Sequence, residues 1–333
     1  MASVIPPIAS ASKPARSCPG RVVCGSSAPD MPNGFADISV ITPALNAGGT
    51  IARTLASIAA QTLRPREVVV VDDGSTDGTA AVAEAFAPRM GGIALKVLRQ
   101  ETAGAAAARN TAIRAAVGEW LAFLDADDEW LPAKIERCMA KLADCGADMV
   151  SHDYLHAENG FERAVNCARH CPPGADPFVA QFLYGFISST TVVVRRELIV
   201  RSGGFDPGLR SSHDYELWLA LLSADGVRFC VIPEALSRYH IMAGGITSNV
   251  ALRRAASLAA LSRHRLALEG RTTSPRLAAA ARTVIVHLQA AGMNLGARRP
   301  VAALLDILST PSSLMRLLAN PAAGQRPDFL SVP

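Results

Sequence analysis

The sequence predicts an α/β fold in which a mostly parallel, mixed sheet is flanked by helices and followed by a helical C-terminal extension. Three observations carry this. Short apolar or β-branched runs recur at 38–42, 67–71, 95–98 and 120–124, and strands apolar on both sides belong to parallel sheets covered on both faces. Helical segments separate them: Ile51, Leu55 and Ile58 recur at helical spacing within 50–62, a second segment spans 78–87, and 105–116 is alanine-rich. Past residue 250 only helical periodicity continues, over 252–268, 276–291, 301–308 and 314–318. Strands alternating with helices give a Rossmann-like sheet. The segment 155–180, broken by polar residues, proline and glycine, resists assignment.

The chain has 333 residues, more than one core of roughly 200 to 250 residues requires, so an extension is expected. Half the residues are apolar and 19% are charged, the balance of a globular protein rather than a disordered one. The net charge of +4 is a small excess, and the arginine pairs at 195–196, 253–254 and 298–299 are scattered. A nucleic-acid surface gathers its basic residues on one face, so nucleic acid is not an expected partner. No apolar run reaches the roughly 20 residues of a membrane-spanning helix. The best candidate, 182–194, is interrupted by Ser188, Ser189, Thr190 and Thr191.

Seven cysteines in a chain of this size do not make a disulfide scaffold, and a reducing cytoplasm is the expected compartment. Cys167, His170 and Cys171, with His152 and His156 upstream, lack the tight paired spacing of a zinc site and read as ordinary side chains. Residues 1–35, rich in Ala, Ser and Pro, read as a disordered leader without the apolar stretch of a secretory signal, and Met31 is a candidate start. At the other end, Leu304, Leu305, Leu308, Leu314, Leu317 and Leu318 are expected to cover the main domain. Self-association and peripheral contact with the inner face of a membrane are the other two readings of these leucines.

The strongest chemical signal is Phe-Leu-Asp-Ala-Asp-Asp-Glu-Trp at 123–130. In an extended segment residues two apart point the same way, so Asp125 and Asp127 can face one site. Acids packed this closely repel each other unless a divalent cation, itself a seat for diphosphate oxygens, answers them. The competing reading is a solvated turn that caps a helix beginning near Pro132. A second acidic loop, Asp-Asp-Gly-Ser-Thr-Asp-Gly at 72–78, follows another apolar strand. It sits at the carboxyl edge where open α/β sheets bind ligands; its Asp77 can also cap the next helix. A third loop, 42–46, follows the first strand.

With these elements in order, the chain resembles the inverting glycosyltransferases of family 2, which have the GT-A fold. The matching elements are 39–46, 69–79, Ala-Arg-Asn at 108–110, 123–128, and Ser-His-Asp-Tyr-Glu-Leu-Trp-Leu at 212–219. The resemblance implies a glycosyltransferase domain at 36–245, with a nucleotide-binding half at 36–130 and an acceptor half at 131–245. The extension then occupies 246–333. It also implies a nucleoside-diphosphate sugar as donor, with a UDP-sugar as first guess. A saccharide or other hydroxyl-bearing acceptor, Mg2+ or Mn2+, and a place in cell-envelope polysaccharide synthesis are implied as well.

By similarity, Asp73 reads the base, and Thr42, Pro43 and Asn46 line the nucleotide pocket. Arg109 fixes the second acidic loop or approaches phosphate, Asp125 meets the ribose and metal, and Asp127 ligates the metal. Asp214 falls at the position of the catalytic base, while His213 stands where an acid is common. Independently of the resemblance, a carboxylate such as Asp214 can take the proton of a sugar hydroxyl, though Asp214 with Glu216 also reads as an amphipathic helix start. The segment 185–191 can shape the acceptor site or simply pack as a strand. His240 reads as a loop histidine, with contact to diphosphate as the alternative. The Gln-x-x-Arg-Trp element of processive synthases is absent, which implies one transfer per encounter. Two other readings stand beside this one: a sugar-nucleotide-binding scaffold without turnover, and a nucleotidyltransferase of the same fold. The second lacks its glycine-rich loop and lysine after Pro43. No Gly-x-Gly-x-x-Gly or P-loop supports a dehydrogenase or a nucleotidase.

Overall fold

Four consecutive valines show how the sheet is built. In β2 (Arg64–Asp72) all of Val68, Val69, Val70 and Val71 are fully buried. Successive side chains point to opposite faces, so Val68 and Val70 enter one core with Ile38, Val40, Ile51 and Leu55. Val69 and Val71 enter another with Ile41, Leu121, Phe123 and Trp218. A continuous apolar run is therefore what a doubly covered strand requires. The computed structural model describes residues 34–241, 249–319 and 326–331. The leader reading of 1–33, the candidate start Met31, Cys18, Cys24, the domain boundary at 245 and the side chain of Leu318 lie outside the described residues.

Around β2 stand β1 (Phe35–Ala44), β3 (Ala94–Arg99) and β4 (Trp120–Phe123), all parallel. Their crossovers carry α1 (Ile51–Ala59), α2 (Thr79–Ala85) and α3 (Ala105–Ala115). The second half holds β5 (Glu129–Trp130), α4 (Lys134–Cys145), β6 (Met149–Glu158), β7 (Phe161–Val165) and α5 (Pro177–Tyr184). It continues with β8 (Val193–Arg195), α6 (Arg196–Arg201), α7 (His213–Ser223) and β9 (Phe229–His240). The strand order is β3-β2-β1-β4-β8-β6-β9-β5, with β7 beside β6. Antiparallel pairs β4–β8, β8–β6, β6–β7 and β9–β5 meet a parallel β6–β9 pair, so the sheet is mixed as expected. The helical extension follows as α8 (Val250–His264), α9 (Pro275–Gly296), α10 (Pro300–Leu308) and α11 (Thr310–Ala319).

Several expectations need correction. The unassigned segment 155–180 contains the end of β6, all of β7 and the start of α5. β9 runs through Pro233 because the ladder skips there, with Ile232 opposite His152 and Ala235 opposite Asp153; a strand tolerates proline at such a bulge. Helix α7 is buried around most of its surface rather than amphipathic. Of the C-terminal leucines, Leu317 is buried, but Leu304, Leu305 and Leu308 are exposed and do not cover the main domain.

Glu216, fully buried on α7, carries the heaviest ionic load. Arg263, His264 and Arg326 all reach its carboxylate, and Arg263 also binds Asp206. Burial alone raises its pKa, but hydrogen bonds from His264 and Arg326 outweigh burial and hold it far below the carboxylate range. Arg326 belongs to the segment 326–331, which returns to the main domain. Phe329 N–H donates to Gly203 O at 2.8 Å, and Arg326 donates to the carbonyls of Ser202 and Gly204. A Cβ at Gly203 would meet Pro327 O at 2.7 Å, and one at Gly204 would meet Leu330 Cγ at 2.7 Å. Only glycine leaves room for this strap.

Candidate active site

The site lies past the carboxyl ends of β1, β2 and β4. Thr42 and Pro43 end β1 as buried residues paired with Val70 and Val71, and the Thr42 hydroxyl has no hydrogen-bond partner. Asn46 is exposed, with φ 50, and is tied to the loop after β2. Its N–H donates to Ser75 Oγ at 2.8 Å and its Oδ1 accepts from Thr76 N–H at 3.1 Å. Gly48 N–H donates to Asp77 Oδ2 at 2.8 Å, and Asp77 Oδ1 accepts from the Thr79 N–H and hydroxyl at the start of α2. The Thr79 hydroxyl and then the Gly48 N–H lower the pKa of Asp77.

Asp73 is buried and already engaged. Oδ1 accepts from Gln100 Nε2 at 2.7 Å and Ala103 N–H at 2.9 Å, and Oδ2 accepts from Gly104 N–H at 2.8 Å. A carboxylate offers about four acceptor sites, so one is left for a ligand. The same side chain organises the entry into α3, about one and a half turns of which separate Gly104 from Arg109 and Asn110.

The second acidic loop is a turn, not the extended segment the sequence reading assumed: Asp128 N–H donates to Asp125 O at 3.1 Å. Asp125 and Asp127 are still brought close enough to repel. Burial, then the charge of Asp125, raises the pKa of Asp127. Asp128 is raised further by burial and by both neighbours, and its Oδ2 is buried without a partner. The loop does not cap α4, whose N-cap Ala133 has no side-chain bond. It is held instead by Arg53, which donates to Asp127 O at 2.7 Å, by Thr54, whose hydroxyl donates to Asp128 O at 2.8 Å, and by His240.

His240 is therefore not an ordinary loop histidine. It ends β9, its N–H donates to Asp128 Oδ1 at 3.0 Å, and its Nε2 lies 2.7 Å from Glu129 Oε1. The Tyr-His pair closing a strand that contains proline hid this in the sequence. Ser189 lies in the 185–191 segment, read from the sequence as shaping the acceptor site or packing as a strand. Its hydroxyl donates to Asp214 Oδ2 at 3.3 Å, the second acceptance of Asp214 beside Tyr215 N–H at 2.8 Å.

Asp214 stands in the first turn of α7 behind Ser212, which takes the left-handed region at φ 52. Two devices set its place. Phe123, two residues before Asp125, packs edge-on at 5.6 Å against Trp218, one turn after Asp214, and at 5.6 Å against Phe205. Arg109, buried on α3, reaches Asp125 Oδ1 with one amino group and His213 Nε2 with the other, its guanidinium 5.4 Å from the Phe205 ring. Burial and then the Arg109 charge push His213 down to about 4, so it is neutral and Nε2 is an acceptor. Asn110 exchanges hydrogen bonds with the Phe205 backbone, both at 2.8 Å. The Ala-Arg-Asn element thus ties the acidic loop to the helix carrying Asp214.

Among the described residues, no group of three or more His, Cys, Asp or Glu side chains is arranged to hold a metal. Cys167 is buried and directs its S–H to Phe186 O. Among those residues too, no helix is long and apolar enough to cross a membrane.

The family model described as glycosyl transferase family 2 matches residues 39–212, more than half of the chain. The chain belongs to glycosyl transferase family 2. As a family member it is a glycosyltransferase, in keeping with several curated relatives. It is 30% identical to an amylovoran biosynthesis glycosyltransferase of Erwinia amylovora, covering 61% of this chain and 69% of that protein. It is 31% identical to a putative teichuronic acid biosynthesis glycosyltransferase of Bacillus subtilis, covering 64% and 82%. It is 29% identical to the UDP-Glc:alpha-D-GlcNAc-diphosphoundecaprenol beta-1,3-glucosyltransferase of Escherichia coli, covering 64% and 80%. Among solved structures, S. aureus TarS 1–349 with UDP-GlcNAc shares the fold at a TM-score of 0.65 and 20% identity, covering 84% of this chain and 81% of that one. The Pyrobaculum calidifontis mannosyltransferase with GDP-Man and Mn2+ shares it at 0.57 and 24%, covering 86% and 79%.

Proposed function

We propose that this glycosyltransferase moves one sugar per encounter from a nucleoside-diphosphate sugar to an acceptor hydroxyl, with inversion and with Asp214 as general base. The observation that carries the proposal is Arg109, which joins Asp125 of the acidic loop to His213, the neighbour of Asp214. A donor-side carboxylate and the residue before the part-buried candidate base are thereby held by one buried guanidinium.

In the proposed step the acceptor oxygen forms a bond to the anomeric carbon from the face opposite the diphosphate. The bond from that carbon to the diphosphate oxygen breaks, its electron pair leaves with the nucleoside diphosphate, and the hydroxyl proton passes to Asp214. Ser189 and Tyr215 N–H aim the Asp214 carboxylate. Thr42, Pro43 and Asn46 are proposed to edge the nucleotide pocket, with Asp73 offering its remaining acceptor site to the base. Arg109 fixes Asp125 toward the ribose.

The residues present fit Mg2+ or Mn2+. Asp127 and Asp128 have pKa values raised by burial and then by the charge of Asp125, so a cation is the natural complement of the loop. Asp127 and Asp125 would hold it. Magnesium is commonly bound by one or two carboxylates plus substrate phosphates and water, which agrees with a pair rather than a cluster. When bound, the ion stabilises negative charge on the diphosphate.

The Escherichia coli relative is named for UDP-Glc, which makes UDP-sugars the first donors to test. The names of the Erwinia and Bacillus relatives support an envelope or exported polysaccharide as the acceptor class. The decisive experiment measures transfer by mass spectrometry with Mg2+ or Mn2+, comparing wild type with Asp214→Asn. A general base contributes about 10^2 to 10^4-fold, so turnover falls at least about 100-fold while donor affinity and melting temperature hold. Asn can still serve in a first helical turn, so near-normal transfer by the folded variant would remove Asp214 from the chemistry.

A further inference from the structure

Helix α10 is built inside out. Val301, Leu304, Leu305 and Leu308 fall on one face at helical spacing, and their exposures run from 55% to 70%. On the other face Asp306 is buried at 4% exposure. There Arg254 of α8 pairs with its Oδ1, Asn294 of α9 donates to its Oδ2 at 2.8 Å, and His287 Nδ1 meets its backbone oxygen at 2.8 Å. An amphipathic helix in a soluble fold turns its leucines inward. Rolling α10 to do so would pull Asp306 from these partners and leave Arg254 facing a gap. The polar anchor therefore fixes the leucines outward.

Charge decides what meets them. Between residues 270 and 319 Asp306 is the one acid, and it is buried. The exposed charged side chains that flank α10 are Arg298, Arg299 and Arg316, while Arg276 lies at the far end of α9 in one pocket with the exposed Glu269. A second copy meeting this face with the same face would set arginines against arginines, with no exposed acid on these helices to answer them. Anionic headgroups would answer every one, and an outward leucine stripe beside arginines is the composition of a helix lying in a bilayer interface.

We infer that α10 and its flanking arginines dock this enzyme on the surface of an anionic lipid bilayer, the leucines entering the acyl boundary. The dock is coupled to the site: Arg282 of α9 lies 5.6 Å over the ring of Tyr215, the residue after Asp214. The bilayer would thus fix the orientation from which Asp214 is approached.

The test is co-sedimentation of the full chain with vesicles of phosphatidylglycerol and phosphatidylcholine in equal parts, and with phosphatidylcholine alone. Two variants accompany it, Leu304→Ser/Leu305→Ser/Leu308→Ser and Arg298→Glu/Arg299→Glu. All five positions are exposed, so melting temperature should hold; if the leucine variant misfolds, the arginine variant still decides. The expected result is binding to the mixed vesicles only, with the partition falling at least about tenfold in either variant. Equal binding to both vesicle types, no binding, or binding unchanged in the variants overturns the inference. So does a concentration-dependent dimer in sedimentation velocity that the leucine variant abolishes, which would assign the face to a second copy.

Discussion

Two loops at the same edge of the sheet carry three aspartates each, and the protein treats their charge in opposite ways. In the loop after β2, Asp72 accepts from Ser75 N–H, Asp73 from three donors and Asp77 from Gly48 and Thr79. In the loop after β4, Asp125 has Arg109, but burial and then the charge of Asp125 raise the pKa values of Asp127 and Asp128, and one oxygen of Asp128 has no partner. Equal numbers of acids thus serve different ends. The first loop uses carboxylates as internal acceptors that shape the backbone, while the second stores unanswered negative charge. Satisfaction, not acid count, separates an architectural loop from one fit for a cation.

The largest effect that would sharpen the contrast is on turnover. Asp127→Ala should lower transfer by at least about 100-fold, the scale of losing one electrostatic stabiliser, while melting temperature stays level or rises. Normal transfer by this variant under controlled metal would break the comparison. Asp73→Ala should act the other way round, through stability. It leaves the Ala103 and Gly104 N–H groups without their acceptor, at a cost of about 1 to 3 kcal/mol, read as a lower denaturant midpoint.

Gly74→Ala should cost about 1 to 2 kcal/mol for the left-handed backbone alone. At φ 83 its Cβ would also meet Thr102 Oγ1 at 2.4 Å. A midpoint equal to wild type would show that the first loop is softer than its hydrogen bonds imply.

The smallest effect is one of pH, measured in chelator. Asp127 and Asp128 have folded pKa values above their unfolded ones, so the folded state holds more protons in that interval and stability falls as pH rises through it. Asp77, with a lowered folded pKa, contributes stability present above its unfolded value and lost as pH falls through the folded one. Asp128→Asn keeps an acceptor for His240 N–H and removes the repulsion. Its melting temperature at neutral pH should rise by about 2 to 4 °C, equivalent to roughly 1 kcal/mol. A fall would mean that the second loop is satisfied after all.

The parallel half of the fold was legible because each of its strands is a short run apolar on both faces, as Val68 to Val71 illustrate. The other half was less so. β6 mixes His152 and Asp153 into its buried stretch, and β9 passes through Pro233 at a bulge that no local pattern announces. At the site, both acidic loops, Arg109 and Asp214 could be read as motifs. Their linkage could not, since it depends on Arg109 and His213 meeting across 104 residues of sequence. The contacts of His240 with the acidic loop and of Ser189 with Asp214 were hidden for the same reason. The outward leucines of α10 escaped because periodicity gives a stripe but not its direction, which a buried Asp306 decides.

The strap at 326–331 has a consequence for biosynthesis. Glu216, two residues after Asp214, receives Arg326 only when the ribosome has made that residue. At about 5 to 20 residues per second, the interval between the two is on the order of ten seconds. The sheet can form in that time, but the helix that bears Asp214 still lacks one counter-charge and the cover over Gly203 and Gly204. Chains that stop short of residue 326 would then fold yet transfer poorly, so competence waits on Arg326 and truncated chains draw little on the donor pool.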